Sequence, residues 1–136
     1  MTDSEKWAWW TLGVVALTAV AFFTFLALLG SGLASQSVFA LLALTAVPAN
    51  SRRYLKGKLF DEREREIAAR ALLAGFRAVW VAFIGLVMTL GFIKGWDATL
   101  SLPMWKLVAT VWLAAMLLLA VEAVTTLVLY RRGSNA

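Results

Sequence analysis

The sequence predicts an all-α integral membrane protein, a four-helix bundle of two antiparallel up-down hairpins with both termini cytoplasmic. Three observations predict it. Hydrophobic residues make up 62% of the 136 positions and charged residues only 15%, against roughly 45–50% and about 25% in soluble chains. The apolar residues fall into long, almost uncharged blocks, as membrane-spanning helices require. A single long polar run, Ser51 to Arg70, separates two hydrophobic halves.

The blocks follow in order. Trp7 to Leu29 is uncharged and as a helix spans about 35 Å, enough for a hydrocarbon core of about 30 Å. Trp7, Trp9 and Trp10 stand at its start, where indoles favour the headgroup layer. Gly32-Leu33-Ala34 has the small-x-small look of a signal cleavage site. The apolar run is too long for a signal core and its leading segment is not basic, so a retained span is expected. The Gly- and Ser-rich stretch Gly30 to Ser37 forces a hairpin, and a second span runs over 35–50. Pro48 removes a backbone donor near its end and should stop it.

The polar linker, 51–70, divides in two. Arg52, Arg53, Lys56 and Lys58 form a basic half with Tyr54 as an interfacial anchor. Asp61 at an N-cap with Glu64 three residues on is a capping-box pattern, and Glu62 and Glu64 suit the positive end of a helix dipole. Asp61–Arg65 and Glu66–Arg70 are spaced i,i+4 with the acid first, the better orientation. With Arg63, these residues predict a solvated, internally paired helix that continues into the third span, 71–93, about 50 Å in all. Lys94 to Ser101 is a turn with Trp96 at the interface. Ser101 can cap the fourth span, 102–130, with Pro103 in its first turn. Trp105 and Tyr130 mark its interfaces, and Arg131 and Arg132 close it.

Basic residues collect in the linker and after the fourth span, which places both on the cytoplasmic side of a multi-pass protein of the inner membrane. The net charge of +5 is therefore topological, and no nucleic-acid partner is expected. The chain has no Cys and no His. Ser/His and Cys/His nucleophile systems are excluded, the commonest metal ligand is missing, and neither a cofactor nor an enzyme is expected.

Two charges lie well inside the spans, Arg77 and Glu122. Each costs about 2.5–3.5 kcal/mol at a helix centre, so unpaired burial is disfavoured. Both fall about 10–14 Å from the cytoplasmic edge, and the first reading is an ion pair pinning the third span to the fourth. A second has Arg77 snorkelling to the interface, with Glu122 protonated or facing another subunit. A third makes Glu122 the coupling carboxylate of a small transporter. Thr125 and Thr126 lie one turn from Glu122. Ala74, Ala78 and Ala82 form a small-residue ridge that permits close helix packing or homo-oligomerisation.

Leu59 to Ala71, LFDEREREIAARA, resembles a set of small prokaryotic membrane proteins of unknown function with four spans and a central D-E-R-[DE] segment before the third. Asp61, Glu62, Arg63 and Glu64 match that segment. The resemblance implies fold and membrane location and carries over no catalytic residue.

The leading expectation is a non-enzymatic accessory, regulatory or immunity-type protein. It would work through the Arg52–Arg70 surface, which faces a membrane or cytosolic protein partner or anionic lipid. The alternative is a small oligomeric proton-coupled transporter or channel using Glu122. The topology has a direct check: reporter fusions at Leu33 and Ala98 should read external and those at Gly57 and Ala136 internal. An external Gly57 would overturn the orientation.

Overall fold

The computed structural model describes residues 3–30, 32–45 and 62–134. Pro48, the basic half of the linker and Asp61 lie outside the described residues. The elements are α1 (Asp3–Leu29), the short α2 (Leu33–Ser37), a 3₁₀ segment (Val38–Thr45), α3 (Glu62–Lys94) and α4 (Met104–Ser134). The described residues contain no strand. α1, α3 and α4 are long and apolar enough to cross a membrane.

Local chemistry sets the helix ends. α1 stops at Gly30, whose φ of +75° is open to glycine at no steric cost. Its N–H bonds the Leu26 carbonyl at 3.2 Å, a left-handed helix cap. The Ser35 hydroxyl donates back to the Gly30 carbonyl and so closes the turn. α3 ends the same way, at Gly95 (φ +90°), with Gly95 N–H bonding the Gly91 carbonyl at 2.9 Å. Trp96 then folds over Gly91, where an added Cβ would come within 2.7 Å of the ring. α4 begins at Met104, with Lys106 N–H bonding the Pro103 carbonyl at 3.0 Å. Pro103 thus precedes the helix instead of opening it, and Ser101 sits too early to cap it.

The second apolar block departs from an ordinary helix. After Ser37 it tightens into 3₁₀ geometry for eight residues, longer than the usual three or four. At about 2 Å per residue this stretches the described block to about 24 Å, where an α-helix would reach about 20 Å. Trp10 Nε1 donates to the Leu44 carbonyl at 2.9 Å and so satisfies one of the acceptors that a helix end leaves open.

The helices pack in a row. α3 lies along α4, α4 also along α1, and α1 along α2 and the 3₁₀ segment. Val15, Phe22, Val38, Phe39, Leu42, Ala109 and Met116 make the larger core cluster. Phe39 is its pivot, 4.7 Å from the Phe22 ring and stacked on Trp112 at 5.7 Å. A smaller cluster joins Ala8 to Ala123 and Leu127, nearer the charged end. Few side chains are fully buried, because each long helix leaves a broad apolar face outside. Such faces suit embedding in a lipid bilayer.

α3 and α4 meet most closely at Gly75, where a Cβ would stand 3.0 Å from the Leu118 carbonyl oxygen. The buried residues of α3 are Ile67, Ala71 and Gly75, so the contact face is Ala71–Gly75 and not the expected Ala74–Ala78–Ala82 ridge. Ala74 and Ala78 are half-buried beside that face, and Ala82 is exposed. Beyond Gly75 the two helices part around an apolar crevice of about 550 Å³, which Ala82 lines with Val79, Trp80, Phe83, Leu113 and Leu117.

Gly75→Leu should destabilise the protein by about 1–3 kcal/mol through overpacking against backbone, read as a fall in Tm in detergent. Gly133→Ala should be nearly silent, because what its Cβ meets is the mobile end of Arg63. Equal effects at the two sites would contradict this packing.

Candidate functional site

Three helix faces converge at the charged end. On α1, Ser4, Ala8, Thr11, Val15, Thr18 and Phe22 recur every three or four residues, the spacing of one helix face, and all are buried. On α3 the matching face is Glu64, Ile67, Ala71 and Gly75. α4 contributes Ala123, Thr126, Leu127 and Tyr130. The small pair Ala8 and Ala123, both fully buried, lets α1 and α4 approach closely.

The polar groups of these faces meet around Glu64. Its Oε1 accepts from the Tyr130 hydroxyl at 3.3 Å and from the Ser4 hydroxyl at 3.5 Å. One carboxylate therefore touches the first turn of α1 and the last turns of α4. Beside it, Ser4, Trp7, Glu64, Ile67, Ala68, Glu122, Thr126 and Tyr130 line a cavity of about 40 Å³, room for more than one water. Glu122 is half-buried. Its carboxylate has no hydrogen-bond or ion-pair partner among the described residues. The Thr126 hydroxyl donates to the Glu122 backbone carbonyl at 2.9 Å. Thr18, Thr24, Thr89 and Thr110 satisfy themselves in the same i−4 manner, the common way a hydroxyl is accommodated within a helix. Thr11, fully buried one to two turns below the cavity, keeps its hydroxyl without a partner.

The predicted pair of Arg77 with Glu122 does not form. Arg77 is exposed, and no ion pair or hydrogen bond joins it to any described residue. The reason is azimuth: Gly75 faces α4, and two residues further on is roughly 200° around the helix. Arg77 and Glu122 therefore point in different directions. The acid that shares a cavity with Glu122 is Glu64.

The rest of the linker divides by direction too. Glu62, Arg63, Arg65, Glu66 and Arg70 are exposed while Glu64 is half-buried, and Glu66 pairs with Arg70. The Arg63 guanidinium lies over Gly133 at the end of α4, where a cation complements the helix dipole. Arg52, Arg53, Lys56, Lys58 and Asp61 lie outside the described residues, and with them the Asp61–Arg65 pair and the capping box. Among the described residues no group of three or more His, Cys, Asp or Glu could hold a metal. The residues that sequence reading missed are Ser4 and the inward turn of Glu64. The available signal was the shared face Glu64–Ile67–Ala71–Gly75.

Fold and site together define a class: an all-α, multi-span membrane-type bundle with a hydrogen-bonded, half-buried carboxylate, Glu64, at the charged end of its core. Compared with known protein families, with curated proteins and with solved structures, the chain matches none. The D-E-R-E resemblance therefore adds no family to the layout of apolar helices.

Tyr130→Phe should cost about 1 kcal/mol, the worth of one hydrogen bond, measured by thermal unfolding in detergent. In a Glu64→Leu background the same change should cost much less. Strict additivity would separate the two groups.

Proposed function

We propose that the protein is a small proton-coupled transporter or channel, acting as an oligomer, whose ion-handling groups are Glu64 and Glu122. The observation that carries this reading is the cavity itself. Glu64 and Glu122, from different helices, line it together with Ser4, Thr126 and Tyr130. A carboxylate without a hydrogen-bond partner in the spanning part of a bundle, as at Glu122, is costly while charged, and a proton or a monovalent cation relieves that cost. An ionisable residue within a spanning segment, as Glu122 is, marks an ion pathway as the default reading. The cavity lies at the basic end, which the charge distribution assigns to the cytoplasmic side of antiparallel hairpins. Deeper in the bundle, among the described residues, the Phe22, Phe39 and Trp112 rings pack against one another and make the interior apolar. That favours a pathway completed between copies.

A contact-only accessory role through the charged linker draws less support. Of the linker's described charged residues, Glu64 turns inward, Arg63 lies on α4, and Glu66 and Arg70 neutralise each other, which leaves Glu62 and Arg65 exposed. No catalytic role is assigned to any group.

The test is proton flux into proteoliposomes under a potassium diffusion potential, followed with an entrapped pH dye. Wild-type protein should conduct or exchange protons. Glu122→Gln and Glu64→Gln, close in shape, should each lower the rate at least about tenfold, equivalent to about 1.4 kcal/mol of barrier. An unchanged rate in Glu122→Gln removes the proposal.

A further inference from the structure

A separate feature sits on the other side of α3. Glu66, Arg70, Leu73, Arg77, Val81 and Ile84 share the face turned away from α4, and all are exposed. Arg70 is already held by Glu66. Arg77 is not held by anything among the described residues, and it stands about 10 Å further along the helix than Arg70. No acid of this face lies at its level: Glu66 is about 16 Å back, and the helix onward to Ile93 is apolar. A bare guanidinium in the spanning part of a helix is costly, and with no acid to meet it among the described residues, a counter-charge from the surrounding lipid would relieve that cost.

We propose that Arg77 binds the phosphate of an anionic membrane lipid on the outer face of α3. Helix side chains lean toward the N-terminus. The N-terminus of α3 is its charged end, Glu62 to Arg70. The Arg77 stem therefore runs back along the apolar surface and delivers its guanidinium toward the headgroup layer. A guanidinium offers paired donors matched to two phosphate oxygens. Exposed Leu73, one turn nearer the headgroups, lies beside the stem and against the acyl region of the same lipid. The net negative headgroup, not the phosphate alone, supplies the missing charge.

The experiment titrates detergent-solubilised full-length protein with phosphatidylglycerol or with phosphatidylcholine and reads the rise in Tm. Wild type should respond to phosphatidylglycerol at a concentration about fivefold lower than Arg77→Leu does. That ratio corresponds to about 1 kcal/mol for one basic residue at an anionic surface. Arg77→Lys should keep most of the response, and soluble glycerol phosphate should give none. Arg77→Leu removes a charge from a lipid-facing site and should fold; Arg77→Gln serves the same purpose if it does not. An identical response in both neutral variants and wild type overturns the site. So does an equal response to phosphatidylcholine. A change in oligomeric mass on losing the arginine, without loss of lipid preference, gives Arg77 to a protein carboxylate instead and equally overturns it.

Discussion

The close approach of α3 to α4 at Gly75 and Leu118 fixes which way every polar residue of α3 points. A backbone carbonyl 3.0 Å from where a Cβ would stand leaves the helix no freedom to rotate a larger side chain into that place. Because a helix turns about 100° per residue, this one contact places Glu64, eleven residues earlier, on the inward face. The same rotation sends Arg77 outward. The inward acid finds the hydroxyls of Ser4 and Tyr130, and the outward cation finds no partner among the described residues.

The second constraint is the lack of water to satisfy polar groups inside a bilayer. Its effects recur along the chain. Threonines bond their own i−4 carbonyls, Trp10 covers the Leu44 carbonyl, Ser35 closes on Gly30, and Gln36 Nε2 reaches the Trp105 carbonyl at 3.5 Å. Against that background, groups left open stand out. Among the described residues inside the bundle they include the Glu122 carboxylate at the cavity, the Thr11 hydroxyl below it, and Gln36 Oε1 at the opposite end of the bundle. The first two lie on faces that converge on Glu64, which is why the cavity and not the apolar crevice carries the functional reading.

Much of the architecture was legible in the residues. Long uncharged runs define α1, α3 and α4, and the glycines at 30 and 95 end two of them where left-handed backbone is needed. The run from Glu62 to Lys94 is one unbroken helix, as its charge pairing and hydropathy together imply. What hydropathy and depth cannot give is azimuth. Arg77 and Glu122 were matched by distance from the charged end, yet depth is one coordinate and the facing direction another. The alanine ridge was misjudged for a related reason. Ala82 continues the line of Gly75 about two turns on, but at a level where α3 and α4 have already parted. The 3₁₀ geometry of Val38–Thr45 has no marker in its composition, since the same apolar residues suit either helix.

Cysteine cross-linking tests the central claim most directly, because the natural chain has no Cys. Ala68→Cys with Thr126→Cys puts one thiol on each helix beside the cavity while keeping Glu64 and Glu122. Mild oxidation in native membranes should join this pair rapidly, and Arg77→Cys with Glu122→Cys should stay unlinked. The reverse pattern would mean that α3 turns its other face to α4, and the polar site described for Glu64 would not exist.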